Sequence, residues 1–259
     1  MKTAIVTGAT GAIGKAIARQ LAVDDFKVVL ACRNQTKAQS AVEDITNATG
    51  NSNIAFNIVD LSSHKAIYDF AERWQGPLHI LVNNAATTPR KRQETDAGIE
   101  MQFATNVLGY FRMMKAFTEH LKKSAPARIV NVASYWAGDL QMDDLEFKKR
   151  RYNNNSAYRQ SKQADRMLTV AFAERLKTFN ITVNACHPRD VNSQLSNDRG
   201  FGGSASPDQG AETPLWLATE EIGGQVTGKY FEHLRETPCR FAENKTAVEE
   251  LYKICKSYM

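Results

Sequence analysis

The 259-residue chain predicts a single α/β domain: a doubly wound, mostly parallel seven-stranded sheet with helices on both faces. Two observations carry this. Short apolar runs alternate with longer amphipathic segments from end to end, and the runs are apolar on both faces, as strands covered on both sides must be. No low-complexity linker or internal repeat divides the chain, so residues 1–259 read as one domain. A composition of 42% apolar and 24% charged residues supplies one large core and an ordinary wet surface.

The first predicted strand, 4–7, runs into Thr7-Gly8-Ala9-Thr10-Gly11-Ala12-Ile13-Gly14, which opens a helix over 13–23. Glycines let a backbone turn tightly and approach a pyrophosphate, whose charge a helix N-terminus stabilises. Gly8, Thr10, Gly11, Ala12, Ile13 and Gly14 are therefore expected against a nucleotide. The second strand, 28–31, ends in Ala31-Cys32-Arg33-Asn34. An acidic residue there would bond the ribose hydroxyls of NAD, whereas an arginine suits a 2′-phosphate. Arg33 and Asn34, with Lys15 as a second cation, favour NADP(H). A helix over 36–48 and a strand over 54–59 deliver Asp60 and Leu61, with Asp60 placed to accept from an adenine amino group. A helix over 63–74 leads to the strand 80–82, whose end, Asn83-Asn84-Ala85, is expected on the adenosine side.

A long helix over 99–123 follows, with Met113, Met114 and Phe117 read as core or dimer interface. The fifth strand, 128–132, ends at Ser134. The remaining elements are a helix over 157–179, a strand over 182–186, a helix over 208–219, a strand over 228–231 and a helix over 244–256. The irregular stretches 86–97, 135–156 and 188–207 all follow strands. They should gather at the carboxyl edge of the sheet, where such folds bind ligands. The last contains Gly200, Gly202 and Gly203 and reads as a mobile lid over a substrate pocket.

Tyr158 and Lys162 stand four residues apart and share one face of their helix. An ammonium beside a phenol stabilises the phenolate, which makes the hydroxyl a proton donor or acceptor. His187 reads as a structural strand-end residue rather than a base, and Tyr135 and Trp136 as pocket walls.

The net charge is 33 − 28 = +5. The basic runs 90–92 and 148–151 have no interleaved aromatics and match no nucleic-acid module, so they read as solvated loop, with nucleic acid excluded as partner. At the mouth of a pocket they would favour acidic substrates. The four cysteines lie far apart without metal-ligand spacing, and no metal is expected. A strand starts almost at Met1, and no run reaches the roughly 18 apolar residues that span a bilayer, so the expectation is a cytoplasmic protein without a membrane span.

Taken together, the glycine turn, Asn83-Asn84-Ala85-Ala86, Asn106 in Thr-Asn-Val-Leu-Gly, Ser134 after Arg-Ile-Val-Asn-Val-Ala, and Tyr158-x-x-x-Lys162 resemble the short-chain dehydrogenase/reductase family over the whole chain. Ala-Cys-Arg-Asn at 31–34, the long spacer between Ser134 and Tyr158, Ser161 to Asp165 and Gly-Lys-Tyr-Phe at 228–231 narrow the likeness to its retinol dehydrogenase and WW-domain oxidoreductase-like branch. The resemblance implies a Rossmann fold and an NADP(H)-dependent alcohol dehydrogenase or carbonyl reductase, with a small carbonyl or alcohol substrate and a possible homodimer through the helices at 99–123 and 157–179. It implies that Tyr158 is the general acid/base and that Ser134 binds the substrate oxygen. Lys162 is then expected to hold the nicotinamide ribose, Asn106 a relay water, and Pro188, Val191 and Ser193 the nicotinamide end. Three positions depart from the family pattern: Ala12 and Ala86 replace glycines, and Arg189 replaces the glycine of His-Pro-Gly. A non-catalytic NADP(H)-binding regulator on the same fold is the alternative.

Overall fold

The computed structural model describes residues 1–259. Its centre is a sheet of β1 (Thr3–Thr7), β2 (Lys27–Cys32), β3 (Ile54–Ile58), β4 (Ile80–Asn83), β5 (Ala127–Val132), β6 (Ile181–His187), β7 (Tyr230–Glu232) and β8 (Arg235–Glu236). The order is β3-β2-β1-β4-β5-β6-β7-β8, parallel throughout except for the β7–β8 pair. The sheet thus has eight strands rather than the seven expected. The added strand is two residues long and turns back through His233 and Leu234, both left-handed (φ 50° and 62°), the pattern of a tight hairpin turn. Neither an apolar run nor an Asn-Gly pair marks it in the sequence.

Helices cover both faces. The first layer holds α1 (Ala12–Val23) and α2 (Gln35–Thr49); on the other lie α3 (His64–Glu72), α4 (Gly109–Ala116), α5 (Thr118–Lys123) and α6 (Asn154–Leu176). The short α7 (Gln194–Asp198) lies inside the 188–207 segment. Farther on, α8 (Pro207–Thr219) and α9 (Glu221–Gln225) return to the first layer, and α10 (Lys245–Ser257) to the second. Within β1, Ala4 and Val6 pack into the core beneath α1, α2 and α8, while Ile5 belongs to the core beneath α3, α4, α6 and α10. Alternating residues of a central strand bury on opposite sides, which is why such strands read as apolar without a break.

The helix expected over 99–123 is interrupted. Residues Phe103–Leu108 form a π-helical turn before α4, and Phe117 separates α4 from α5. Met113, Met114 and Phe117 are fully buried. The ring of Tyr252 on α10 lies edge-on to Phe111 of α4 and Phe172 of α6, at 5.2 and 5.5 Å. The chain's own last helix thus packs along α6 and reaches α4 through the Tyr252 ring.

Candidate active site

Two cavities open along the carboxyl edge of the sheet. The first, about 380 Å³, is lined by residues that follow β1, β2, β3 and β4. The second, about 330 Å³, is lined by residues that follow β5 and β6, together with Tyr158. Ile13, Ser193 and Leu195 line both, so the cavities form one groove. It lies where the strand order reverses between β1 and β4, the crevice in which open α/β sheets bind ligands.

The glycine turn shapes the first cavity by close approach. Gly8 is left-handed (φ 64°), and a Cβ on it would lie 2.8 Å from Cα of Ala85. A Cβ on Gly14 would lie 2.5 Å from the Gly8 carbonyl oxygen and 2.6 Å from Nδ2 of Asn84. Gly11 needs no such space, since its nearest neighbour would be 3.4 Å away. The Ala12 departure is thereby explained: the turn depends on Gly8 and Gly14, and Ala12 starts α1 with its methyl in the cavity wall. No side chain caps the N-terminus of α1. Unsatisfied amides, a glycine cradle and adjoining cations suit a pyrophosphate.

Thr10, Ile13, Arg33, Asp60, Leu61 and Ala85, read from the sequence as cofactor contacts, line this cavity. Two predicted residues do not. Asn34 instead caps α2, accepting from the Lys37 amide at 2.9 Å, and buried Asn83 donates to Oδ1 of Asn131 at 2.9 Å across the sheet. Neighbouring Asn84 takes the wall position and donates to the Thr7 carbonyl. Lys15 also turns away, pairing with Asp44 of α2 at 2.5 Å. The second cation is Lys37, one turn beyond Arg33. Neither Arg33 nor Lys37 is ion-paired within the chain, and both line the cavity. Thr87, Thr88 and Thr105 line it too, without any signal in the sequence.

Ser134 and Tyr158 meet in the second cavity with Tyr135, Trp136, Pro188 and Val191. Asn153 starts α6 by accepting from the amides of Asn155 and Ser156, which sets Tyr158 one turn inside the helix. Nη2 of Arg166 donates to the Ser134 carbonyl at 2.5 Å and ties the end of β5 to α6. Oγ of Ser134 accepts from the Trp136 amide at 3.1 Å.

Lys162 and Asn106 line neither cavity. Nζ of Lys162 donates to the Val132 carbonyl and to Asp165, both at 2.9 Å, and is almost fully buried. Burial disfavours the ammonium, but the Asp165 carboxylate and the phenols of Tyr110 and Tyr158 more than reverse this and keep it protonated. Asn106 sits in the π-helical turn. Its Oδ1 accepts from the Thr87 amide at 2.8 Å, and its Nδ2 donates to the Thr87 carbonyl and to Oγ of Ser161. It locks the cavity wall to α6 by direct bonds.

Buried His187 packs edge-on against Tyr135 at 4.6 Å. Burial, helped by the nearby charges of His233, Arg166 and Arg189, pushes its pKa down to about 3, so the ring is neutral at ordinary pH. Arg189 is left-handed (φ 65°), which explains why a glycine would suit the position; its guanidinium pairs with Glu212 of α8 at 2.6 Å. The 188–207 loop closes on itself through Ala205 N–H to the Asp190 carbonyl and Asn192 N–H to the Ala205 carbonyl. Ser193 caps α7 within it and reaches both cavities. The basic runs line neither cavity: Arg92, Lys148, Lys149 and Arg150 pair with Glu94, Glu146, Asp143 and Asp144. No cluster of side chains could hold a metal ion, and no helix is long and apolar enough to cross a membrane.

The short chain dehydrogenase family model matches residues 2–200. Human retinol dehydrogenase 13 is 36% identical, across 97% of this chain and 82% of the relative. Mouse retinol dehydrogenase 12 is also 36% identical, across 98% and 84%. An uncharacterized protein from Mycobacterium paratuberculosis shares the fold with a TM-score of 0.83 at 24% identity, covering 99% of this chain and 92% of that one. A short chain dehydrogenase from Burkholderia cenocepacia, solved in complex with NADP, superposes with a TM-score of 0.72 at 25% identity, covering 89% and 95%. With its site geometry in place, the chain belongs to the short-chain dehydrogenase family and is an oxidoreductase of that family.

Proposed function

We propose that this oxidoreductase uses NADP(H) to interconvert an aldehyde or ketone with the corresponding alcohol, acting on a small molecule in the cytoplasm. One observation carries the reading: a single groove has Ser134 and Tyr158 at one end and the Gly8–Gly14 cradle with unpaired Arg33 and Lys37 at the other. The two cations suit a 2′-phosphate, and the cradle suits a pyrophosphate. The names of the retinol dehydrogenase relatives and the NADP complex of the Burkholderia protein point the same way.

When bound, NADP(H) supplies or accepts the hydride. Tyr158 gives its phenolic proton to the carbonyl oxygen in reduction and takes the alcohol proton in oxidation. Oγ of Ser134 donates to that same oxygen, orients it and shares its developing charge. Protonated Lys162, one helical turn from Tyr158, supports the phenolate by its field. Asn106 holds the Thr87 wall in place, and Pro188, Val191 and Ser193 are assigned to the nicotinamide end.

The regulator reading keeps one observation in its favour: Asp165 and the Val132 carbonyl engage the Lys162 ammonium away from the groove. The test is NADPH consumption, with NADH in parallel, against a panel of aldehydes and ketones. Turnover preferring NADPH is expected. Tight NADPH binding with every carbonyl left unreduced would favour the regulator.

A further inference from the structure

The Tyr158–Lys162 spacing assigns Lys162 as the cation of the phenol, yet its ammonium lies 5.9 Å from the Tyr158 ring centre and is held by Asp165. A second cation lies much closer. Arg199, at the end of α7 in the 188–207 loop, places its guanidinium carbon 3.7 Å from the Tyr158 ring centre. The same group lies 4.9 Å from the Trp136 ring centre and 5.4 Å from that of Phe201.

Arg199 is half-buried and pairs with no carboxylate. Its one hydrogen bond runs from Nη2 to Oδ1 of Asn155 at 3.2 Å, and its Nε is buried without a partner. A cation on an aromatic face is attracted to the ring, and far more strongly once that ring is a phenolate. The left-handed glycines Gly200 (φ 83°) and Gly202 (φ 53°) follow it closely. Glycines of this kind give a loop the freedom to hinge.

We infer that Arg199 is a positioning residue for proton transfer at Tyr158: it stabilises the phenolate when the 188–207 loop is closed and withdraws that support when the loop opens. The inference rests on the reading of Tyr158 as the acid/base. Only a proton moves in the step it governs: the alcohol O–H bond breaks as the phenol O–H bond forms. The other titratable groups that act on the ring or line its cavity are Lys162 on α6, Tyr110 on α4, Tyr135 after β5, His187 at the end of β6, and Arg189 and Asp190 where the loop leaves β6. His187 is neutral, Arg189 pairs with Glu212, Asp190 accepts from the Tyr135 hydroxyl, and Lys162 and Tyr110 sit on the fixed scaffold. Arg199 is the loop cation that lies on the Tyr158 ring, so proton transfer is tied to closure over bound substrate.

The test is a spectroscopic titration of Tyr158 ionisation, taken as the ultraviolet difference between each protein and its Tyr158→Phe counterpart, on the parent, Arg199→Ala and Arg199→Lys. Arg199→Ala is expected to move the Tyr158 transition to higher pH, with Arg199→Lys in between. Asn155→Ala, which removes the guanidinium's one hydrogen bond, is expected to move it the same way by less. In alcohol oxidation with NADP⁺, kcat/KM at neutral pH should fall about tenfold in Arg199→Ala with cofactor affinity unchanged. A Tyr158 transition at the same pH in parent and Arg199→Ala overturns the inference. The titration needs no turnover, so a shifted transition in a protein that oxidises no alcohol would support the contact while removing the proposed activity.

Discussion

Replacing Gly14 by alanine tests the nucleotide cradle where its tolerance is smallest. The new Cβ would lie 2.5 Å from the Gly8 carbonyl oxygen and 2.6 Å from Nδ2 of Asn84. Ordinary contact begins near 3.4 Å, so α1 must withdraw from the turn by most of an ångström. Overpacking of this kind costs about 1–3 kcal/mol. The displaced Asn84 amide also loses its 2.9 Å bond to the Thr7 carbonyl, worth about 1 kcal/mol. Better helix propensity returns about 0.5–1 kcal/mol. The balance is a loss of about 2 kcal/mol, or roughly 4–8 °C in the unfolding midpoint. The same withdrawal widens the cradle, so NADPH affinity should fall at least about tenfold. Circular dichroism melts and NADPH fluorescence titrations check both, with Ala12→Gly as the control expected to alter neither by more than about 1 kcal/mol. Parent-like melting and binding in Gly14→Ala would refute the argument that Gly14 is fixed by close approach.

Arg33→Asp and Lys37→Ala should each weaken NADPH binding by about tenfold to a hundredfold while sparing NADH, since each removes one cation proposed to make a charge-assisted contact to the 2′-phosphate; Lys15→Ala, whose ammonium pairs with Asp44, should change the preference little. His187 sets a pH dependence of stability. Its folded pKa, about 3, lies below the ordinary histidine value of 6.5, so the unfolded chain binds the extra proton between those values and stability rises with pH across that window. Acidification from pH 6.5 to 5 should cost ~2 kcal/mol in the parent, and denaturant melts of His187→Gln should lack that slope. Ser134→Ala should lower kcat about 10²–10³-fold with little change in NADPH affinity, read by steady-state kinetics and binding.

The sheet, the glycine turn and the Ser134–Tyr158 pair were legible because each has a local signature: apolar runs, glycine spacing, and a strand end followed by a helix start. Other features depend on what lies across the fold. The π-helical turn at Asn106 has no composition of its own and is held by Thr87 and Ser161 from other segments. Lys15 and Lys37 are both lysines in first helical turns. Only the packing of α1 against α2, which puts Asp44 beside Lys15, sends one away from the groove and leaves the other at it. Lys162 has a partner at each end of its reach, Tyr158 four residues before and Asp165 three residues after. Spacing alone did not choose between them; the buried carboxylate beside the Val132 carbonyl does. Arg199 stands in a loop that sequence marks only as glycine-rich, so its place over Tyr158 follows from the closed loop alone.

The proposed chemistry rests on the Tyr158 hydroxyl, and one comparison bears on it directly: steady-state carbonyl reduction and NADPH binding measured side by side on the parent and Tyr158→Phe. The ring and its packing remain in the variant, and only the proton donor is removed. Turnover falling by about 10²-fold or more with the NADPH dissociation constant within about twofold of the parent is the expected result. Undiminished reduction by Tyr158→Phe would contradict it.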